Sequence, residues 1–463
     1  MKSEKTFDVI VLGSGLSSLS FIESYLKNKK SVNVISPKSN NNNNENEINK
    51  HVYKFLPPQM LGEKKKVENY FFQNKLRINT NCKVFGSLEF GGLSNYWALQ
   101  VDNNIENDIS DLKQDTKKKL KASFKELFYK NVAGENLKSR PSKTQKFLEL
   151  FKKDNKMIID YPILGYFKKK DKSFNLDNIN EDKDKLVPKN FFNKYLKKKK
   201  IIFHDYCVKK ILKDKNQIIL ICIKNKEEKI FKTKKLVIGC GTIVTTKLLM
   251  EFLNIKSEVK IKHHPRLFSL YLAKNRWKNN MNFQPSLMHL KYKKFQDLFT
   301  ADFRPGNKVI INSLIKLNFT LRPLKFLFNY FRQYFIFSNI FLSSKYSNLF
   351  IKLEKNSWAT IYSKDLNIKK IFNKISKNIY KFLLSQKKIF SFRVNRFPGY
   401  GVDFHYFGTI PINGKNKLSV NENCQLKKNK NIYIIDGSVF DFKKNKYPLG
   451  LIMANARRIA KII

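Results

Sequence analysis

The stretch DVIVLGSGLSSL, residues 8–19, decides the fold class. Its first half is a short run of β-branched and other apolar residues, which is typical of a buried parallel strand. Its second half has the spacing Gly13-x-Gly15-x-x-Ser18 and leads into an amphipathic sequence. The two glycines permit a tight turn and a close backbone approach to a pyrophosphate at a helix N-terminus, and a serine is small enough for close helix–strand packing. The stretch therefore predicts a dinucleotide-binding turn, with an ordinary strand–helix turn as the alternative.

The residues after this helix complete a strand–turn–helix–strand unit. SVNVIS (31–36) predicts the second strand, and SPKSNNNNNENEINK (36–50) is a low-complexity sequence that predicts a loop. An acidic residue normally ends the second strand and binds a ribose hydroxyl. Ser36 stands there instead, and its hydroxyl offers a weaker contact.

Composition limits the classes of partner. The chain has 463 residues, and its 42% hydrophobic content can fill a large core, so two or three domains are expected. Its 91 Lys and Arg against 37 Asp and Glu give a net charge of +54. That charge favours a polyanionic partner such as nucleic acid, an anionic lipid surface or a phosphate-bearing substrate, with compositional drift as the alternative. Lysine is scattered along the chain and far exceeds arginine, so a nucleic-acid partner is not expected.

Cysteine usage and hydropathy bear on the compartment. The five cysteines show no CxxC spacing, which favours a reducing compartment. The N-terminal sequence does not have the pattern of a signal peptide, and no run of 18 uncharged apolar residues predicts a spanning helix. We therefore expect a cytoplasmic protein. Residues 314–342 mix aromatic residues with Lys and Arg, so they predict either a lipid-interface segment at the inner face of the membrane or part of a domain core.

Histidine is scarce, with 6 in the chain, and His405 in GYGVDFHYFGT (399–409) is the candidate base. A neutral imidazole can accept the proton of an alcohol, which makes hydride departure from the same carbon easier. A core histidine satisfied by hydrogen bonds is the alternative. The sequence HHP (263–265) predicts a structural loop, because neighbouring side chains of an extended chain point to opposite faces and no third ligand is near. His51, His204 and His289 are isolated, so no metal site is expected.

Five separated segments together resemble the glucose-methanol-choline (GMC) family of FAD-dependent oxidoreductases. They are DVIVLGSGLSSL at the N-terminus, GGLSNYW (91–97), LVIGCGTIVTTKLLM (236–250), HYFGT (405–409) and NIYIIDGSVFDFKKNKYPLGLIMANARRIA (431–460). They occur in the family's order, and the C-terminal block is the most specific. Residues 110–200 and 266–395 match little beyond length.

The resemblance implies an α/β fold in two parts. A Rossmann-like FAD-binding domain is built from separated segments, and an α+β substrate domain carries an antiparallel sheet over the flavin. We assign residues 1–110, 196–265 and 396–463 to the FAD-binding domain. Residues 111–195 are assigned to a helical insertion or cap, and 266–395 to the substrate-binding domain.

The resemblance also implies which residues contact FAD. The glycine turn would hold the pyrophosphate, the GGLSNYW loop the pyrophosphate and flavin side, residues 208 and 241 the adenosine, and residues 436–437 the ribityl and flavin part. The implied cofactor residues are Gly13, Ser14, Gly15, Leu16, Ser17, Ser36, Gly92, Ser94, Asn95, Val208, Gly241, Asp436, Gly437 and Pro448.

The chain departs from the family at the second catalytic position. The family has His or Asn just before a C-terminal proline or its equivalent, whereas this chain has Tyr447 before Pro448. A phenol has a pKa of about 10 and is a poor base at neutral pH, but it can hydrogen-bond an alkoxide. We therefore expect a mechanism with His405 as the only base and Tyr447 orienting the substrate. An altered reaction or a degenerate site is the alternative.

The expected function is an FAD-dependent dehydrogenase that oxidises the CH–OH group of an alcohol, polyol or sugar-type substrate. The hydride goes to the flavin, and an oxidase is less expected. Two alternatives stay open. One is a peripheral membrane flavoprotein with a lipid-linked or quinone partner, and the other is a catalytically degenerate binding protein, which would be colourless when purified.

Overall fold

A computed structural model of the chain describes residues 6–37, 64–97, 100–102, 105–128, 132–133, 157–160, 163–165, 188–274, 288–292, 299–306, 322–364, 367–443 and 447–463. The strands, numbered along the chain, are β1 (Thr6–Leu12), β2 (Val32–Ile35), β3 (Leu76–Ile78), β4 (Gln100–Val101), β5 (Val132–Ala133), β6 (Met157–Asp160), β7 (Ile163–Gly165), β8 (Ile201–His204), β9 (Cys207–Asp214), β10 (Gln217–Lys224), β11 (Glu227–Ile238), β12 (Val259–Ile261), β13 (Arg266–Ala273), β14 (Met288–Tyr292), β15 (Phe299–Pro305), β16 (Phe335–Leu342), β17 (Leu349–Leu353), β18 (Ala359–Ser363), β19 (Ile389–Arg396), β20 (Gln425–Leu426) and β21 (Asn429–Ile434). The α-helices are α1 (Leu16–Tyr25), α2 (Lys64–Gln73), α3 (Glu106–Ile109), α4 (Gln114–Phe128), α5 (Pro188–Lys197), α6 (Thr242–Phe252), α7 (Lys325–Phe331), α8 (Ile368–Ser385) and α9 (Leu449–Ala460).

The largest sheet contains eight strands, and five of them run parallel in the order β21-β11-β1-β2-β8. The antiparallel strand β20 lies at one edge, and β9 and β10 form an antiparallel extension of β11. Residues 9–12 of β1 are all buried, as expected for a central parallel strand with both faces covered. The three central strands β1, β11 and β21 come from the head, middle and tail of the chain, so distant segments build one layer.

Helices from the two ends of the chain pack together beside this sheet. The Ser20 hydroxyl of α1 donates to the carbonyl of Met453 in α9, at 2.8 Å. Glu126 of α4 accepts hydrogen bonds from Arg457 (3.2 Å) and Lys461 (2.8 Å), and these two residues lie in and just after α9. The closing helix is therefore held against both α1 and α4, which places the end of β21 next to the first turn of the chain.

A second sheet has six strands in the order β19-β13-β16-β15-β14-β6, all paired antiparallel. Helix α8 covers one of its faces, because its apolar residues recur every three or four positions and pack with inward residues of β13 and β16. The opposite face carries the paired residues Arg266↔Phe341 and Leu270↔Phe337. That face meets the candidate site.

The predicted fold class is confirmed, and two regions add detail that the sequence did not predict. Within 111–195, predicted as a helical insertion or cap, α4 and α5 are helical, but β5, β6 and β7 are strands and β6 joins the six-stranded sheet. Strands β17 and β18, from the region assigned to the substrate domain, pair with β12 and β3 in a four-stranded sheet. Strands of two to five residues are too short to show a clear alternation of apolar residues. The predicted loop is described only at 36–37, and its remaining residues 38–50 lie outside the described part.

Within the described ranges, no helix has both the length and the apolar character needed to cross a bilayer.

Candidate active site

Strand ends from three parts of the chain meet at one edge of the parallel sheet. The backbone N–H of Gly239, after β11, donates to the carbonyl of Leu12 in β1 at 2.8 Å. The N–H of Ile435, after β21, donates to Ile238 of β11 at 2.9 Å. The turns that follow β1, β11 and β21 therefore lie side by side at the carboxyl ends of the strands, where open α/β sheets bind ligands.

A cavity of about 230 Å³ lies at these turns. Its walls are formed by residues within 13–17, 35–37, 85–94, 206–208 and 239–248, together with five residues from 404 to 449 and with Ile452. Eleven of the fourteen predicted cofactor residues line it: Gly13, Ser14, Gly15, Ser17, Ser36, Gly92, Ser94, Val208, Gly241, Asp436 and Gly437. The three that are not among its lining residues are Leu16, Asn95 and Pro448.

The first turn requires glycine for a steric reason. Gly13 has φ +97°, and a Cβ there would lie 2.3 Å from the carbonyl oxygen of Gly239. Gly15 is the N-cap of α1, and its carbonyl accepts the first intrahelical bond from Leu19. The amides of the first helical turn point out of this end, which makes it the positive end of the helix dipole and a site suited to a phosphate.

Ser18, in place of a third glycine, is accommodated by the neighbouring turn. Its hydroxyl lies 3.5 Å from the carbonyl oxygen of Gly239. A Cβ on Gly239 would lie 2.5 Å from that hydroxyl. Gly239, just after β11, is therefore the small residue that close packing needs. Ser18 does not prevent the close approach of helix and sheet.

A network of hydroxyl groups connects the GGLSNYW loop to the glycine turn. The Ser14 hydroxyl accepts a hydrogen bond from the N–H of Gly91 and contacts the Ser36 hydroxyl, both at 2.9 Å. The Ser94 hydroxyl accepts from the N–H of Leu16 at 3.1 Å. Ser36, which replaces the usual acid, therefore has a structural contact within the cavity wall. Asn95 instead donates its amide to the carbonyl of Phe90 at 2.8 Å, which supports the loop.

The third turn is fixed by the buried carboxylate of Asp436. One oxygen accepts from the N–H and hydroxyl of Ser438, at 3.0 and 2.6 Å, and the other accepts from the hydroxyl of Thr245 in α6. Burial raises the pKa of Asp436, although these hydrogen bonds oppose the shift. Gly241, the N-cap of α6, has φ +82°, and a Cβ there would have no atom within 4 Å. Its backbone therefore offers room for a close ligand contact.

The segment that carries His405 is tied to the cavity wall by its neighbours. Phe404 and Tyr406 line the cavity, whereas His405 itself is half-buried behind that lining. The Tyr406 hydroxyl donates to the carbonyl of Gly401 (2.6 Å) and accepts from the N–H of Phe85 (3.0 Å). Phe404 has φ +66°, a conformation that is rare for a bulky side chain and that persists only where its surroundings impose it.

Two hydrogen bonds set the tautomer of His405. The Nε2 of His264 lies 2.8 Å from the carbonyl oxygen of Phe442, so this nitrogen carries the proton of a neutral His264 ring. Its Nδ1 is then an acceptor, and it lies 3.3 Å from Nδ1 of His405. His405 therefore donates from Nδ1, and Nε2 of the neutral ring carries the lone pair. Phe341 stacks on the same ring, with the centroids 5.4 Å apart.

A buried pair of hydrogen-bonded side chains, His263 and Asp403, lies beneath these rings. Asp403 accepts from Nδ1 of His263 at 2.8 Å and from the N–H of His405 at 3.0 Å. The Nε2 of His263 lies 3.2 Å from Oδ1 of Asn348, whose amide nitrogen donates to a backbone carbonyl. Both nitrogens of His263 thus face side-chain oxygen atoms. Burial alone would raise the pKa of Asp403, but His263 and His405 hold it below 3.8.

The HHP segment is thus more than a structural loop, because both of its histidines contact residues of the candidate site. His263 pairs with Asp403, and His264 contacts the ring of His405. The sequence predicts a structural loop here, with a metal site as the alternative. In the described ranges, no cluster of His, Cys, Asp and Glu suits a metal ion. No spacing signal connects residues 264 and 405, which are 141 positions apart.

Tyr447, the residue expected to orient the substrate, lies next to His405. The two rings are 6.2 Å apart, and the Tyr447 hydroxyl is 3.4 Å from a carboxylate oxygen of Asp302. Asp302 also accepts from Arg304 at 2.7 Å and from Asn339 at 2.8 Å. Burial and then the Asp302 charge raise the pKa of Tyr447 well above 10, so the phenol stays neutral at ordinary pH.

The other histidines lie apart from the cavity or outside the described side chains. His204 at the end of β8 bonds Asn33 of β2 at 3.0 Å through Nε2. Burial lowers the pKa of His204, which favours a neutral ring with a structural role. His51 lies outside the described residues, and His289 belongs to β14.

The cavity fits the phosphate and nucleoside parts of a dinucleotide. Both helices that begin at it, α1 and α6, have glycine as the N-cap, so neither has a capping side chain of its own, and at α1 the Leu16 N–H donates to the Ser94 hydroxyl. Gly13 leaves no space for a side chain, and Gly241 leaves open space on the cavity side. The Val208 end and the Phe404 end provide apolar wall for the two ring systems of such a ligand.

No family model matches the chain, and no curated protein matches it. Among solved structures, the chain is similar to the crystal structure of pyridoxine 4-oxidase from Mesorbium loti, with a TM-score of 0.64 and 11% identity over 99% of each chain. At this identity the likeness establishes the fold, and the fold implied by the GMC resemblance is confirmed from one end of the chain to the other.

Proposed function

We propose that the chain is an FAD-dependent oxidoreductase that oxidises the CH–OH group of an alcohol, with His405 as the base. One observation carries the proposal. Residues chosen from the sequence as cofactor contacts come from the head, middle and tail of the chain, and they line one cavity whose wall includes both neighbours of His405. The fold likeness to pyridoxine 4-oxidase supports the same broad class of reaction.

A bound flavin would supply the hydride acceptor. In this proposal, Gly13, Gly15 and Ser17 hold the pyrophosphate at the N-terminus of α1. Val208 and Gly241 contact the adenosine side. Because the Phe404 wall adjoins His405, the flavin ring belongs at that end of the cavity.

His405 accepts the hydroxyl proton at Nε2, the atom that the His264 contact leaves with a lone pair. The alcohol carbon then releases its hydrogen with the bonding electron pair, and the C–O bond becomes a carbonyl. The imidazolium formed on His405 is stabilised by the nearby carboxylate of Asp403, which already accepts the N–H of the same residue. Nδ1 of His264 accepts the Nδ1–H of His405 throughout this step, so the His405 ring keeps its orientation.

Tyr447 orients the substrate in this proposal and does not act as a second base. Its raised pKa keeps the hydroxyl protonated, so it can donate a hydrogen bond to the substrate oxygen. Its present partner Asp302 is also held by Arg304 and Asn339, so a substrate can replace that long contact without leaving Asp302 unpaired.

The substrate is an alcohol, polyol or sugar-type molecule, and the expected enzyme is a dehydrogenase. The test is anaerobic mixing of the purified flavoprotein with a panel of such alcohols, pyridoxine included, while flavin absorbance is followed. At least one class should bleach the flavin, and an artificial acceptor should restore the colour. Reoxidation by O₂ with stoichiometric H₂O₂ would make it an oxidase. A flavin that stays oxidised with every member, although dithionite reduces it, would contradict alcohol oxidation.

A further inference from the structure

The exposed apolar side chains of the described residues are concentrated in one place. Eight of the twelve exposed large hydrophobic residues in the described part lie on or just before α7, or on β19: Leu324, Phe326, Leu327, Tyr330, Phe331, Phe390, Phe392 and Val394. Phe326 is 78% exposed and Tyr330 is 66% exposed. Monomeric soluble proteins rarely leave such clusters uncovered, so their position in the fold is informative.

These side chains belong to one continuous surface. In the six-stranded sheet, Leu270 of β13 is paired with Val394 of β19 on one side and with Phe337 of β16 on the other. Phe328 holds α7 on the same side of the sheet, because it packs against Phe335 of β16, as Leu270 and Phe337 also do. We call this surface, formed by α7 and the side of the sheet opposite α8, the outer apolar face.

The charged residues on the two elements with exposed aromatics are all cations. Residues 322–342, which include α7, contain three Lys and Arg and no Asp or Glu. Residues 387–396, which include β19, contain four Lys and Arg and again no acid. Arg322 and Lys325 are exposed beside the α7 aromatics, and the Lys274 ammonium lies 5.9 Å from the ring of Phe390. Exposed aromatics ringed by cations suit an anionic surface with an apolar interior.

The sequence of residues 314–342 predicts either a lipid-interface segment or part of a domain core. Some of its described residues fit the first alternative and some fit the second. Residues 335–342 form β16, with Ile336, Ile340 and Leu342 in the core. Residues 325–331 form α7, which has no buried residue. Residues 314–321 lie outside the described part. The core alternative therefore holds for β16, and the interfacial alternative remains for α7.

We infer that the outer apolar face docks on an anionic lipid bilayer. The α7 and β19 aromatics enter the boundary between headgroups and acyl chains, and the surrounding Lys and Arg contact the anionic headgroups. The seven residues of α7 allow it to lie in the interface only. The same side of the sheet carries Phe341, which stacks on His405, so docking turns the site's side of the sheet towards the lipid. This inference is independent of the alcohol-oxidation proposal.

The test is co-sedimentation of the purified holoprotein with vesicles of phosphatidylcholine containing phosphatidylglycerol, and with vesicles of phosphatidylcholine alone. We expect binding to the anionic vesicles and a partition coefficient at least tenfold lower for phosphatidylcholine alone. The double variant Phe326→Ser, Tyr330→Ser should lower partitioning by about tenfold or more, because it removes two apolar rings that would be buried in the interface. Both side chains are largely exposed, so the variant should keep its flavin and melting temperature.

The control is Ile230→Ser, at an exposed apolar residue on β11, away from the outer apolar face. It should partition like the wild type. The inference is overturned by three results: no binding to anionic vesicles, equal binding of the α7 double variant, or an equal loss in Ile230→Ser. A smaller particle size of the double variant in solution, without vesicles, would show instead that the face joins two copies of the chain, and would also overturn it.

Discussion

Replacing His405 by alanine should lower the rate constant of flavin reduction by an active alcohol about 10³-fold, the range in which a positioned general base contributes. The expectation rests on Nε2 of His405, which the His264 contact leaves unprotonated beside the cavity wall. Cofactor content should stay at the wild-type level, because His405 is not among the residues that line the cavity. Anaerobic stopped-flow absorbance measures the rate directly.

His204→Gln is the control for the loss of an imidazole elsewhere. His204 bonds Asn33 at the end of β8, and a glutamine can keep a hydrogen bond there. This variant should reduce the flavin at the wild-type rate. If the flavin-reduction rate of His405→Ala is within threefold of the wild type, His405 is not the base and is a structural histidine.

His264 acts through His405 and is therefore a positioning residue. His264→Phe should keep the ring shape but remove the acceptor for Nδ1 of His405, so the reduction rate should fall by a smaller factor, about tenfold. Nitrogen NMR of the labelled protein provides a readout that loss of packing would not produce. Wild-type His405 should be protonated at Nδ1 and the variant should show a mixed tautomer. An Nε2-protonated ring in the wild type would contradict the assignment.

Gly13→Ala should abolish cofactor binding, with flavin content below a tenth of the wild-type value. The added Cβ would lie 2.3 Å from the carbonyl oxygen of Gly239, and at φ +97° it would also strain the backbone. Neither turn can shift freely, because Gly239 is bonded to Leu12 of β1. The cost to folding should be about 3 kcal/mol or more, since steric clash adds to the backbone strain. Absorbance of the purified protein and its melting temperature measure the two effects.

Variants at two other glycines distinguish the effect of backbone strain on stability from the effect of an added methyl group on FAD binding. Gly399 also has a left-handed backbone, with φ +114°, but its Cβ would meet only the flexible Lys83 side chain at 3.5 Å, outside the cavity lining. Gly399→Ala should therefore lose stability without losing flavin. Gly15 has φ −74°, and its Cβ would lie 3.3 Å from the Ser94 hydroxyl, so Gly15→Ala should fold and yet bind FAD at least tenfold more weakly. Full flavin content in both Gly13→Ala and Gly15→Ala would show that this turn does not hold the cofactor.

The strand, turn and helix at the cavity were predictable because their signals are local. A buried strand, a turn glycine and a small residue follow each other within 12 positions in DVIVLGSGLSSL, and the structure places them as one strand, turn and helix. The GMC resemblance then linked this unit to residues 236–250 and 431–460. Their strands β11 and β21 do lie beside β1.

The contacts around His405 were not predictable because they are set by packing between distant segments. His264 and Asp403 approach His405 only when β12, β13 and the 399–407 segment have assembled, and neither residue has a periodic or spacing signal. The sequence shows Ser36 only as a weaker replacement for the usual acid at the ribose position. The structure shows that its hydroxyl contacts the Ser14 hydroxyl. The strands within 111–195 were not predicted for a different reason. Each has only two to four residues, which are too few to define a period of apolar residues.

We propose that the head, middle and tail of this chain build one cavity for FAD. The most direct measurement is the absorption spectrum of the purified protein, followed by heat release and mass spectrometry of the bound compound. We expect a yellow protein with about one FAD per chain and no flavin in Gly13→Ala. A colourless wild-type protein that binds no FAD when it is added, while showing the same fold by circular dichroism, would contradict the account.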